Sequence, residues 1–329
     1  MLTPSNKNSP GYKITLNGRD ITPKLSPLIE LEIVEYNGST ADTLSITLAD
    51  TEGLAFPPLG GELTAAIGWH GDSLQYKGAF TIDEVSHSGS PAVLKLHARS
   101  ADLVAGLPGK KSRSWQRISL EKLVAHIAAD HGLQYKISPR LAAINLVSPQ
   151  QTNESDLHFL NRFAHVHDAI ATVKNGVLLF LKKAEAKTAS GVSLPPVVVQ
   201  QTQGNRWFYR QTERNTFTGV RARWHSKELG AYKYEQAGED ERATLLPGTF
   251  DNAEAAYQAA FAELERLQRG QAVLNLYLAL GKPEAAPESP LEAKGHHAAI
   301  SGQAWVITRT SHRISPQGYT TEIEAETRP

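Results

Sequence analysis

The chain has 329 residues, 40% of them hydrophobic and 21% charged, a composition that excludes disordered and collagen-like classes and leaves room for two or three domains. Lys+Arg and Asp+Glu both number 34, so no global field draws the chain to nucleic acid or to an anionic membrane. Cysteine is absent, which removes disulfides, thiolate metal sites and cysteine nucleophiles together.

Residues 1–10 have no apolar h-region, so a flexible start is expected there and not a signal peptide. No apolar run approaches the roughly 18 to 20 residues that cross a bilayer, so stable membrane insertion is not expected. From Tyr12 to Ala101 the pattern is nearly all β. Ile29, Leu31 and Ile33 alternate with Glu30 and Glu32, the period of a strand with one wet face. Leu44, Ile46 and Leu48 repeat the pattern, as do Leu63, Ala65, Ile67 and Trp69. Short strands separated by Gly, Pro and Asp turns predict a small closed barrel or sandwich over residues 11–101.

Residues 102–190 change to an α+β texture. The stretch 106–117 reads as an interdomain loop carrying Lys110, Lys111, Arg113, Trp115 and Arg117. A solvated loop is the plain reading, and a candidate interface for an acidic partner is the functional one. Ser119 caps a helix whose Leu120, Leu123, Val124, Ile127 and Ala128 form one stripe, with His131 in its last turn and Gly132 ending it. A second helix from Asn153 places Leu157, Leu160, Phe163 and Ala164 on one face. Residues 169–174 and 177–182 form a hairpin around Asn175-Gly176.

A linker over 184–196 leads into a second β region, residues 191–329. One helix interrupts it, opened by Asp251 with Glu254 as a capping box and closed by Gly270. Its expected buried stripe is Tyr257, Ala260, Phe261 and Leu264, with Glu265 and Arg269 paired on the wet side. Residues 281–290 read as an exposed loop ahead of two closing strands.

Those closing strands copy an earlier one. Residues 80–91 (FTIDEVSHSGSP) align without a gap on residues 305–316 (WVITRTSHRISP), and five of the twelve pairs are identical: Ile82/Ile307, Ser86/Ser311, His87/His312, Ser90/Ser315 and Pro91/Pro316. Phe80 and Trp305 open the two copies with an aromatic. A duplicated β unit is expected. The His87/His312 pair suits a shared structural role better than a metal or pH site.

Chemistry-bearing motifs are scarce. His126 and His131 have four residues between them and lack the adjacent Glu of a zinc peptidase helix. His165/His167 and His296/His297 match no ligand spacing. There is no Gly-x-Ser-x-Gly elbow, and Gly60-Gly61 lacks the Lys-Ser/Thr of a phosphate loop. Glycan cleavage would need two carboxylates some 5 to 9.5 Å apart, and neither Glu30/Glu32 nor the run Glu239, Asp240, Glu241 nominates such a pair. The helix from Ser119 is followed by a strand and has no basic face, so no helix-turn-helix is present. No metal, cofactor or catalytic residue is assigned.

The segment 151–164 (QTNESDLHFLNRFA), Asn-Glu-Ser-Asp followed by Leu-x-Phe-Leu-x-Arg and then a hairpin, resembles phage tail hub proteins and type VI secretion spike proteins. Trp115 ahead of the helix ending His131-Gly132-Leu133, the Ala-rich helix from Asp251, and the strand pair containing Val306-Ile-Thr-Arg and Gly318-Tyr-Thr-Thr fit the same pattern. The chain is thus similar to the late control gene D family of contractile-tail hubs, from about Ile46 to Ile323. The resemblance implies two tail-tube-like β-barrels flanking the α+β middle domain. It also implies a non-enzymatic homotrimer with pseudo-sixfold symmetry that joins the tail tube and other baseplate components to a trimeric spike. The basic stretch would then line a ring lumen or meet a partner. Spike proteins of secretion systems run on past the second barrel and this sequence ends at Pro329, so a separate spike polypeptide is expected. The location implied is the virion tail baseplate, after assembly in the host cytoplasm. Two alternatives stay open: a peptidoglycan-active enzyme or sugar-binding module of the same particle, and the hub of a contractile bacteriocin or related injection device.

Overall fold

A computed structural model describes residues 9–38, 40–100, 107, 109–174, 176–187, 191–202, 204–212, 217–269 and 271–328. The expected boundaries at 101/102 and 190/191, the turn residue Asn175 and the helix-ending Gly270 fall on or beside positions outside the described residues.

In chain order the first region is β1 (Pro10–Leu16), β2 (Arg19–Asp20), β3 (Leu28–Tyr36), β4 (Thr43–Ala49), β5 (Glu62–Trp69), β6 (Gln75–Ser88) and β7 (Val93–Ser100). Next come β8 (Lys110–Ser114), β9 (Ile118–Ser119), α1 (Leu120–Asp130), β10 (Gln134–Ile137), α2 (Pro139–Ala142), β11 (Asn145–Leu146), β12 (Gln150–Ser155), α3 (Asp156–Val166), β13 (Ala169–Lys174) and β14 (Val177–Lys182). The last region holds β15 (Val197–Gln200), β16 (Arg206–Gln211), β17 (Gly219–Ser226), β18 (Ala231–Gly238), β19 (Ala243–Leu245), α4 (Ala253–Gln268), β20 (Ala272–Leu278), β21 (Pro290–Lys294), α5 (Ala298–Ser301), β22 (Trp305–Ser315) and β23 (Gly318–Thr327).

The molecule is mainly β, as expected, but the two barrels are not found as closed objects. Among the described residues the strands join into one 13-stranded sheet with the path β16-β20-β23-β22-β3-β4-β7-β6-β5-β1-β2, and β21 and β15 branch from β22. The reason is the length of β22. Its first two residues pair with β21, and Arg309–Ile314 pair with β3, so one strand belongs to both halves. The order β3-β4-β7-β6-β5-β1 recurs as β16-β20-β23-β22-β21-β15, in the same chain order, although β15 runs parallel to β21 where β1 is antiparallel to β5.

The repeated hairpins share more than sequence. In β6/β7 the ladder slips between Ile82 and Glu84, and in β22/β23 it slips between Ile307 and Arg309. These are equivalent positions in the aligned copies, so the same β-bulge bends both strands. Phe80, inside β6, and Trp305, which opens β22, are both 1% exposed, and Pro91 and Pro316 both sit in exposed turns.

Each half has its own core. Leu31, Ile33, Leu44, Ile46, Leu63, Ile67 and Phe80 anchor the first, and Leu274, Leu276, Trp305, Ile307 and Ile323 the second. The alternation holds along β4 and β5. It fails at Ile29, which is exposed because β3 slips against β4 between Leu28 and Glu30 and the extra residue turns outward.

The middle region packs α1 and α3 against β13 and β14. In α1 the predicted stripe is buried in full, and Ser119 accepts a hydrogen bond from the Lys122 backbone N–H as its cap. The second helix starts later than expected, at Asp156 behind Ser155, because Asn153–Ser155 are held in β12. Its buried face is accordingly Asp156, Phe159, Leu160 and Ala164, with Leu157 and Phe163 only partly covered. Stretch 106–117 is not a plain loop either: Lys110–Ser114 form β8, which pairs with β12.

The last region contains a separate layer, the sheet β18-β17-β19 covered by α4. Asn252, not Asp251, caps α4. Of the predicted stripe Ala260 and Leu264 are buried, joined by Ala256 and Ala259, whereas Tyr257 and Phe261 stack on each other outside. Leu264 also reaches the sheet: a Cβ added at Gly238 would lie 2.8 Å from its Cδ2, so that glycine leaves the room the leucine fills. The expected Glu265–Arg269 pair is replaced, since Glu265 bonds Lys182 and Arg269 bonds Asp168.

Candidate functional site

The joint between the two halves of the sheet is where polar chemistry concentrates. β3 contributes Leu31 and Ile33 to the inner face, and the next inward position is the buried Glu35. Lys77 Nζ donates to Glu35 Oε2 at 2.8 Å and to the Ala285 carbonyl at 2.9 Å. Thr310 donates to Glu35, and His312, fully buried, lies 3.4 Å from the same carboxylate. The His312 ring also meets Thr321, Tyr319 and the Ala285 carbonyl, and Trp69 Nε1 donates to the Gly281 carbonyl. Burial alone would raise the Glu35 carboxyl, but Lys77 and His312 reverse that and hold it at about 2. Burial, then the nearby Lys77, lowers His312, and burial pushes Tyr319 up. The constellation is a satisfied clamp between halves, with its carboxylate ionised and already paired.

His87, the sequence partner of His312, sits differently. It is exposed, bonded to Asp50 at 2.9 Å and tilted against Phe56. The two positions are equivalent along the strand, but β3 pairs along the outer edge at His312, and at His87 no described strand pairs along that edge.

The basic stretch is spent largely on partners within the chain. Lys111 and Arg113 point from β8 toward Asp156, the first residue of α3, which is fully buried. Lys111 Nζ and His131 Nε2 both lie 2.7 Å from Asp156 Oδ2, and Gln151 donates to Oδ1. Burial opposes ionisation there, yet His131, Lys111, Gln151 and Arg113 together hold Asp156 at about 2. The Asp of the Asn-Glu-Ser-Asp motif is therefore a structural tie between β8, α1 and α3. Trp115 stacks on Phe159 at 5.2 Å, under the Arg113 guanidinium. Lys110 and Arg117 remain exposed.

Sequence reading missed a second buried tie. Asp168 accepts a two-pronged hydrogen bond from Arg269, with side chains 2% and 5% exposed, and Lys182 lies 3.5 Å from it. It joins the middle region to the end of α4. Beside it, burial and then Lys182 hold His167 down at about 4. A histidine lowered in the folded state is neutral there and takes up a proton on unfolding. Its contribution is complete above the ordinary value near 6.5 and is lost as pH falls toward 4, by about 3 kcal/mol at ~1.4 kcal/mol per unit. Melting temperature is expected to fall across that window, and His167→Gln to flatten the fall.

Among the described residues no group of three or more His, Asp or Glu side chains could hold a metal ion. A cleft of about 380 Å³ opens between Gln211, Gln268, Gln271, Gln303, Thr327 and Arg328, with no carboxylate in its lining. No helix among the described residues is long and apolar enough to cross a membrane.

Known proteins agree with this architecture. Probable baseplate hub proteins of Escherichia phages 186 and P2 are each 33% identical to the chain, covering 97% of it and 93% and 94% of themselves. A 43 kDa tail protein of prophage MuSo2 from Shewanella oneidensis superposes with a TM-score of 0.69 at 14% identity, covering 98% of this chain and 99% of that one. A tail protein from Neisseria meningitidis gives 0.67 at 13%, covering 97% and 96%. An E. coli component of the type VI secretion system gives 0.56 at 13%, covering 96% and 77%. At such identities the solved structures speak for the fold alone, and they bear out the resemblance to secretion spike proteins. The sequence model of the family described as phage tail baseplate hub (GPD) matches residues 43–318, and the chain belongs to that family.

Proposed function

We propose that the chain is a structural, non-enzymatic hub in a phage tail baseplate, a homotrimer whose two β units per protomer make a pseudo-sixfold ring between the tail tube and a trimeric spike. One observation carries the reading: six strands recur in the same order in both halves, with the same bulge in the repeated hairpin. Two such units in three protomers give six similar positions around one axis, which suits a sixfold tube on one side and a threefold spike on the other. The regions 11–101 and 191–329 are the two units, and 102–190 is the middle domain. Lys110 and Arg117 are the parts of the basic stretch left to meet a partner.

The glycan-active alternative finds less support. The carboxylates Glu35, Asp156 and Asp168 are buried, ionised and tied to cations, a poor arrangement for a general acid. Both curated relatives come from phages, which favours a phage tail over a bacteriocin. The test is complementation. A phage lacking this gene is expected to make no complete tails until the chain is supplied, the supplied chain is expected to fractionate with the baseplate, and the pure chain is expected to give no clearing in a peptidoglycan zymogram. Complete tails without the chain, or clearing abolished by one Asp or Glu substitution, would overturn the reading.

A further inference from the structure

The joint inside the protomer has an unfilled copy. Equivalent strands follow from the ladders: β20 meets β23 as β4 meets β7, with Leu274, Leu276 and Leu278 standing where Leu44, Ile46 and Leu48 stand. Carrying the β16–β20 and β3–β4 registers through this match puts Trp207 at the position of Leu31, Tyr209 at that of Ile33 and Gln211 at that of Glu35. The repeated hairpin puts Glu84–Gly89 at the positions of Arg309–Ile314. Inside the protomer, Arg309–Ile314 pair with Tyr36–Leu31. The equivalents have no such partner. Among the described residues β5 leaves β6 after Thr81, and β16 pairs only with β20. Both free edges are exposed, Trp207 and Phe208 among them at 43% and 54%.

We infer that Glu84–Gly89 of one protomer pair antiparallel with residues 207–212 of a second copy, in the register Glu84 opposite Thr212, Ser86 opposite Arg210 and Ser88 opposite Phe208. This rests on the trimeric reading above and says which edges close the ring. A long free edge carrying aromatic side chains is a template for strand addition, and covering it removes that hazard. His87 would then lie opposite Tyr209, covered as His312 is covered by Ile33.

Charge fits this pairing. In the internal joint the cations are on β22 and the anions on β3, and Arg313, opposite Glu32, reaches diagonally to Glu30, as Ser311 reaches to Glu32. The same diagonal in the proposed joint carries Glu84 to Arg210. The polarity is reversed, with the anion on β6 and the cations Arg206 and Arg210 on β16, and β3 itself offers no free edge, lying between β22 and β4. The loop after β4 gives a second correspondence. The loop after β20 docks on the first half through the carbonyls of Gly281 and Ala285. Its counterpart after β4 presents Phe56 and Leu59, 59% and 67% exposed, and Phe56 lies against His87 on the free stretch of β6.

The chain has no cysteine, so engineered pairs report without background. In the full-length chain, alone and with the phage's spike protein, Ser88→Cys combined with Phe208→Cys is oxidised and run without reductant. Covalent dimer and trimer bands are expected, absent from either single variant. They are also expected to be absent from Ser88→Cys with Trp207→Cys, because a one-residue offset turns the second thiol to the other face. Glu84→Arg is expected to reduce the bands at least several-fold, and adding Arg210→Glu to restore them. A trimer by light scattering with no bands from the matched pair would overturn the joint and leave the hub reading standing. A single-copy mass under both conditions would overturn both.

Discussion

Arg269→Ala lowers the stability of the chain by about 3–5 kcal/mol, the cost of leaving a buried carboxylate without its partner. Asp168 and Arg269 are both nearly inaccessible, and Lys182 at 3.5 Å is a poor substitute for a two-pronged guanidinium. Burial opposes the charge on both groups, and their mutual hydrogen bonds hold Asp168 low and Arg269 high. Arg269 also lies 3.0 Å from Glu326 on β23, so its loss loosens α4 from both the middle region and the sheet. Urea denaturation measures the effect. A loss under about 1 kcal/mol, the scale of an exposed pair, would mean the tie is solvated in solution.

Phe159→Ala is expected to cost as much, about 3–5 kcal/mol, by a different route. Its ring is fully buried, stacked on Trp115 and edge-on to Phe163 at 5.1 Å, so truncation leaves a cavity between those two rings. Phe163 is only partly covered, and Phe163→Ala should cost about half as much. Equal losses from the two would contradict the face assigned to α3. The same melting curves, read beside particle yield, separate loss of fold from loss of assembly.

The helix behind Ser119 was legible residue by residue because cap, stripe and terminating glycine are local signals that agree. The strands β4 and β5 were legible for the same reason. Ile29 was not, because a bulge set by the neighbouring strand shifts its parity and periodicity alone carries no trace of it. In α4 the large residues Tyr257 and Phe261 drew the stripe toward themselves, while the face that packs on the sheet carries Ala256, Ala260 and Leu264. Long-range ties were beyond the pattern altogether: Asp168 and Arg269 are 101 positions apart, and β8 becomes a strand only by pairing with β12. One hint was available. Glu35 follows Leu31 and Ile33 on the inward parity of β3, and a carboxylate on an apolar face announces a buried partner.

The fusion of the two β units into one sheet rests on β22 meeting β3, more than two hundred and seventy positions earlier in the chain. The repeated hairpin was visible in sequence, and its differing histidines gained meaning only once one joint was seen filled and the other open. That asymmetry is what a ring of repeated joints would leave in a single protomer.

The native mass of the purified chain, alone and with the phage's spike protein as the proposed partner, tests the trimeric hub most directly. Three copies of the hub, about 108 kDa from 35.9 kDa each, are expected in at least the spike-bound sample. A hub that stays at one copy in both samples would contradict it.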